Sequence, residues 1–175
     1  MQRLSLDILL MIQNGLFIED IYLKAFSQPI IRGLAFLCAN RVSKRHVLHL
    51  DYGALTLGYV QGNGPAPFLA DLVLGMDVSV SWTHTIDRSI WEKLVWNVPF
   101  NPLSVICGGV TTDVLVNTPD ICERVRCIMM EVCLAAEAFG VELTKGIVDK
   151  KIAETKAMAP YKTSMCLDFL SGLPL

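Results

Sequence analysis

Apolar residues follow two different periods along this chain, and the change from one to the other divides it. Residues 6–12 form a short, nearly continuous apolar run that stops at Gln13-Asn14-Gly15, which predicts a strand buried on both faces leading into a turn. Residues 17–26 carry Ile18, Ile21, Tyr22 and Ala25 at helical spacing, with Glu19 and Asp20 in the first turn and Pro29 beyond the end. That arrangement predicts a helix with acids at its positive end. Residues 30–39 are a second apolar run, and residues 47–50 and 54–59 flank Asp51-Tyr52-Gly53 as the arms of a hairpin flank its turn. Gly62-Asn63-Gly64-Pro65-Ala66-Pro67 predicts a loop, followed by a short helix at 68–74 and a strand at 78–82.

From Thr85 onward the spacing is close to 3.6 throughout. Helices are predicted at 86–105, 119–139 and 142–159, with a last helical turn at 163–170 and breaks at Gly108-Gly109, Gly140 and Pro160. The fold class is therefore α/β followed by all-α, with a boundary near residue 84 that separates residues 1–84 from residues 85–175.

Composition narrows the function. Apolar residues make up 53% of the 175 and charged residues 18%, below the usual share of about 25%, so the chain folds and is not a disordered tail. The apolar stripes of the helices after residue 118 exceed what one small core needs and point to a domain contact or a homodimer. Fifteen Lys and Arg against seventeen Asp and Glu give a net charge of −2, with no basic stripe for phosphates, which argues against nucleic acid. The apolar run at 8–12, preceded by Asp7, is far shorter than the roughly 20 residues of a membrane span. We expect a soluble, cytoplasmic protein. Cys38, Cys107, Cys122, Cys127, Cys133 and Cys166 never form C-x-x-C, and His46, His49 and His84 lack zinc spacing. Reduced, mostly buried thiols and no metal are expected.

The most informative stretch is the helix around Lys93, Asn97 and Asn101. At i, i+4 and i+8 their side chains share one row, with Trp91, Leu94, Val95, Trp96, Val98 and Phe100 as neighbours in sequence. Pro99 and Pro102 each remove a backbone donor beside that row. An ammonium and two amides in apolar surroundings cost free energy unless something polar faces them. Two readings fit this spacing. In one, Lys93 extends to solvent and the amides make ordinary hydrogen bonds; in the other, Lys93 donates a proton to a substrate oxygen.

The segment Trp91-x-Lys93-x-x-x-Asn97-x-x-x-Asn101-Pro102-Leu103-Ser104 resembles the ketopantoate reductases (2-dehydropantoate 2-reductases). Gln13-Asn14-Gly15 after a buried strand, Asp51-Tyr52-Gly53-x-Leu55-x-Leu57-Gly58, and Thr163-Ser164-Met165-x-x-Asp168 resemble further motifs of that family, in the same order. The resemblance implies the late part of a Rossmann-type nucleotide-binding sheet, followed by a helical domain like that of 6-phosphogluconate dehydrogenase. It implies reduction of a small 2-oxo acid, ketopantoate, by NADPH to give pantoate, a step of pantothenate and coenzyme A biosynthesis. By position, Lys93 becomes the general acid, Asn97 and Asn101 substrate ligands, Ser164 a carboxylate or hydroxyl contact, and Asn14 a residue near cofactor and substrate. Desolvation beside Trp91, Trp96 and Phe100 would lower the lysine's pKa toward neutrality.

Two departures from the family pattern accompany the resemblance. No G-x-G-x-x-G turn occurs, and Gly62-Asn63-Gly64-Pro65-Ala66-Pro67 has proline where the last glycine belongs. After Ser171-Gly172-Leu173-Pro174-Leu175 the family's threonine-glutamate-isoleucine segment does not appear. The expectation is an internal piece of a longer reductase that carries the substrate half of the site. The alternatives are a helical module that only binds ligand or oligomerises, and a dehydrogenase acting on a different 2-oxo acid.

Overall fold

The computed structural model describes residues 7–63 and 78–175. They divide into two compact units, and the division falls between Ile90 and Trp91. The helix predicted at 68–74 and the latter part of the glycine-proline loop lie outside the described residues.

The first unit holds a four-stranded sheet in the order β1-β2-β3-β4. The strands are β1 (Leu9–Ile12), β2 (Ile30–Ser43), β3 (His46–Gln61) and β4 (Ser79–Trp82). Strand β1 runs parallel to β2, β2 antiparallel to β3, and β3 parallel to β4. The parallel β1–β2 pair is the crossover arrangement that the apolar runs predict, and its short connection carries helix α1 (Asp20–Leu23). That helix is much shorter than residues 17–26. Phe17 takes a positive φ of 59°, a backbone state that an α-helix does not contain, so the turn after β1 takes up the first three residues of the segment.

The hairpin predicted about Asp51-Tyr52-Gly53 is a bulge inside β3. Its flanks do not pair with each other: Ala54 pairs with Phe36 and Tyr52 with Leu37, which leaves Gly53 as an extra residue against β2. Tyr52 sits at φ 57°, and an inserted residue of this kind bends and twists a strand without ending it. The true hairpin joins β2 to β3 through Lys44 and Arg45.

Ile31, Leu55 and Leu57 form the core of this unit, with Ile8, Leu10, Ala35, Tyr59 and Val78 packed against it. Gly58 is where the chain leaving the sheet passes closest. A Cβ there would lie 2.8 Å from both the Ile86 Cβ and the Thr83 carbonyl oxygen, so a side chain at 58 would push the following helix off the strand.

Beyond the sheet the described residues are helical: α2 (Ile86–Ile106), α3 (Thr112–Asn117), α4 (Pro119–Ala138), α5 (Ile147–Ala157) and α6 (Ser164–Leu170). Helix α2 runs unbroken through Pro99 and Pro102. Helix α4 starts with proline at its first turn, where the missing N–H has no intrahelical partner to lose. Helix α5 starts five residues later than its apolar spacing predicts, after Gly146 at φ 74°. Six residues of α3 are too few for a period to register, and the sequence did not announce it. Val95, Phe100, Leu115, Val116, Val125 and Met129 are at most 2% exposed and form the core here.

No helix among the described residues is long and apolar enough to cross a membrane, and no group of three or more His, Cys, Asp or Glu among them is placed to hold a metal ion. All six cysteines are free thiols. Their burial corrects the expectation of mostly buried groups: only Cys38 and Cys166 are buried, Cys107, Cys122 and Cys133 are half-buried, and Cys127 is exposed.

Candidate functional site

The apolar residues of helix α2 are spread around it and not confined to one stripe, and from Lys93 to Ser104 every residue but Val98 is buried or half-buried. Lys93, Asn97 and Asn101 are all half-buried. Eight residues of rise put the ends of this row about 12 Å apart. The row is therefore neither lost in the core nor free in water along its whole length.

The aromatic surroundings differ from the sequence expectation in one respect. At about 100° per residue, Phe100 and Trp96 lie within about 60° of Lys93 around the helix, whereas Trp91 lies about 160° away. Phe100 is fully buried and stacks on Trp96, with centroids 4.7 Å apart and ring planes 24° from parallel. The Trp96 indole Nε1 donates to Thr155 Oγ1 at 2.9 Å, which fixes the ring's orientation. Trp91 turns to the other side and contacts Phe139 at a centroid distance of 5.7 Å. Trp96 and Phe100 thus flank the ammonium's row, and Trp91 packs elsewhere.

A buried hydroxyl pair joins the end of this row to the start of α6. Ser104 is fully buried and Thr163 is 1% exposed, and their hydroxyl oxygens are 3.0 Å apart. Ser104 Oγ donates to the Asn101 carbonyl oxygen at 2.8 Å, which uses its one proton. Thr163 Oγ1 therefore donates to Ser104 and accepts the Cys166 amide N–H at 3.1 Å. Thr163 is the N-cap of α6, an arrangement that satisfies one of the helix's orphan donors. Ser164 follows as the first residue of that helix and is exposed. The backbone of Asn101 and the helix start bearing Ser164 are consequently linked by two side-chain hydroxyls.

Asn14 belongs to the sheet unit. It is exposed in the turn after β1, at the carboxyl end of a parallel strand, where open α/β sheets place their ligands. Gly15 beside it takes φ 119°, and a Cβ there would come 2.8 Å from Ile18 Cγ2. Arg32, fully buried on β2, reaches the same turn. Its Nη2 donates to the Gly15 carbonyl at 3.0 Å and to the Gln13 carbonyl at 3.4 Å, and its Nη1 pairs with the buried Glu19 carboxylate.

An exposed carboxamide in a pinned turn suits the polar edge of a nicotinamide. No glycine-rich turn leading into a helix is present among the described residues to take a pyrophosphate.

Sequence reasoning placed Lys93, Asn97 and Asn101 in one row and Ser164 at a helix start. It missed Ser104, Thr163, Arg32 and Glu19. Ser104 and Thr163 stand inside the quoted motifs without a role, because a buried hydroxyl pair 59 residues apart leaves no local trace. Glu19 reads as a first-turn acid and is in fact the counter-ion of Arg32. A lone cation inside Ile30-Ile31-Arg32-Gly33-Leu34 was the available signal, since a charge in an apolar strand demands a partner.

Two family models match this chain: "Ketopantoate reductase PanE/ApbA" over residues 3–62 and "Ketopantoate reductase PanE/ApbA C terminal" over residues 85–175. A 2-dehydropantoate 2-reductase of Nostoc sp. is 32% identical over 176 residues, covering 96% of this chain and 55% of that protein. The solved structure of 2-dehydropantoate 2-reductase from Methylococcus capsulatus matches with a TM-score of 0.85 and 37% identity over 96% of this chain and 55% of the other. That from Geobacter metallireducens gives 0.86 and 36% over 95% and 56%. D-mandelate dehydrogenase with NADH shares the fold at a TM-score of 0.78 and 24% identity over 93% of this chain and 56% of the other. The chain spans just over half the length of the relatives it matches across most of its own length.

Proposed function

Because the chain belongs to the ketopantoate reductase family, we propose that it carries the substrate half of an NADPH-dependent reductase that converts ketopantoate to pantoate. The observation that carries this reading is the half-buried row of Lys93, Asn97 and Asn101 on α2, tied through Ser104 and Thr163 to the helix start that bears Ser164.

The nicotinamide cofactor supplies a hydride when bound. As the carbonyl carbon receives it, negative charge grows on the carbonyl oxygen, and an ammonium held in place stabilises that charge and then protonates it. Lys93 is the group for this step. Lys93 is half-buried, so its charge is screened less there than in bulk solvent. Asn97 and Asn101 offer both donors and acceptors, which suits the hydroxyl and carboxylate oxygens of a small 2-oxo acid. Ser164 offers an exposed hydroxyl that can donate to an oxygen of the same acid. Asn14 is the cofactor-side contact, and NADPH rather than NADH is the expected donor.

The fold is shared with a dehydrogenase of another name, so the acid must be decided at the site and not from the fold. The test is NADPH oxidation by the full chain with ketopantoate, measured beside other branched 2-oxo acids. Lys93→Ala is expected to lower kcat by about 10²-fold or more, with the thermal midpoint little changed because the side chain is half-buried. A loss within about threefold would remove Lys93 from the general-acid role. Ketopantoate binding without turnover would favour a ligand-binding module, and faster reduction of another acid would reassign the substrate.

A further inference from the structure

We propose that the buried Arg32–Glu19 pair is a positioning device for Asn14, holding its carboxamide at the end of β1. The inference rests on the reading of Asn14 as a cofactor contact.

Arg32 is completely buried and Glu19 is 6% exposed, in the same unit whose core is Ile31, Leu55 and Leu57. A buried ion pair of this kind is a poor stability device, because desolvating two charges offsets most of their attraction, and apolar residues of the same volume do as well or better. What the pair does that an apolar pair cannot is grip backbone. Nη2 carries two protons, and the two acceptors they meet are the carbonyls of Gln13 and Gly15, the residues on either side of Asn14.

A planar fork that holds both neighbouring carbonyls fixes the backbone on each side of one residue while leaving its side chain outside. Asn14 is that residue, and it is exposed. Glu19 holds the other arm of the fork through Nη1. The guanidinium is thereby anchored from the far end of the same turn, and cannot swing away without stranding the carboxylate.

The position of Arg32 in the sheet completes the geometry. It pairs with Met11 on β1 and Gly58 on β3, so its backbone is fixed in the interior of the sheet. The turn is thus tied to the sheet by a side chain as well as by its own strand. Gly15 permits this, since its φ of 119° lies where other residues are strained.

The experiment uses two Arg32 variants and an Asn14 variant of the full chain, with three readouts: thermal unfolding, amide exchange in the 13–16 segment, and NADPH affinity. Arg32→Met combined with Glu19→Leu removes both charges together and avoids an orphaned one. It is expected to keep the thermal midpoint, to speed exchange in the turn, and to weaken NADPH binding roughly tenfold, the worth of about one hydrogen bond. Arg32→Lys keeps a charge for Glu19 but has no fork, and should show the same two losses in smaller measure, which keeps the test open should the double variant fail to fold. Unchanged exchange in the turn, or NADPH affinity within twofold of the parent in both variants, would overturn the proposal. Asn14→Ala separates the two layers. If it leaves NADPH affinity unaltered, the cofactor reading of Asn14 fails and the positioning role fails with it, whereas a weakened Asn14→Ala beside unaffected Arg32 variants overturns the positioning role alone.

Discussion

A cysteine thiol reports its surroundings through its rate of alkylation, because only the thiolate reacts. Cys127 is exposed on α4, and Cys133, six residues along the same helix, is half-buried. Burial pushes the Cys133 thiol up from its ordinary value. Iodoacetamide is therefore expected to modify Cys127 first at pH 8 and Cys133 well behind it, as read by mass spectrometry over time; equal rates would contradict the burial. The sign for stability follows. A thiol whose folded pKa is raised favours the folded state fully below the ordinary thiol value, and that contribution is lost as pH rises through the folded value. Alkaline conditions should lower the thermal midpoint, and Cys133→Ala should lessen that dependence. At this scale the sequence was legible where chemistry is local. Lys93, Asn97 and Asn101 share a row by spacing alone, whereas Arg32 and Glu19 are joined across 13 residues by a turn that no periodicity describes.

At the scale of elements, the chain's helical half was readable and its sheet half less so. Helix α2 extends through two prolines because residues Val95 and Val98, four positions before each, lose one backbone bond apiece while the apolar surroundings persist. The β3 bulge resembles a hairpin turn in sequence, because Asp-Tyr-Gly lies between apolar runs, and only the pairing with β2 reveals that both runs belong to one strand. The joint between α2 and α6 makes a testable element. Ser104→Ala removes the donor to the Asn101 carbonyl and leaves Thr163 without its acceptor in a dry site. The expected loss is about 1–3 kcal/mol. Thr163→Val loses the cap as well, for which about 0.5–2 kcal/mol is usual, while Thr163→Ser keeps the hydroxyl and should stay close to the parent. Urea unfolding gives these values, and a Thr163→Val variant as stable as Thr163→Ser would show that the chain of hydroxyls does not hold the helix start.

At the scale of the whole molecule, the change in period near residue 84 and the division between Ile90 and Trp91 differ by the first turn of α2, whose Ile86 meets Gly58 of the sheet. A periodicity assigns that turn to the helix, whereas packing assigns it to the strand beneath it. Each unit has a core of its own, Ile31 with Leu55 and Leu57 in one and Phe100 with Val95 and Met129 in the other, and separate cores can open separately. Phe100→Ala empties a fully buried site and also removes the ring against Trp96, so a loss of about 3–5 kcal/mol is expected. That loss should appear in Trp96 fluorescence as an earlier urea transition. If the units open independently, amide protection along the central residues of β2 and β3 keeps its parent value in the same variant. Loss of both signals at one urea concentration would instead make the chain a single cooperative unit, since a cavity in one core lowers protection in the other only when they unfold together.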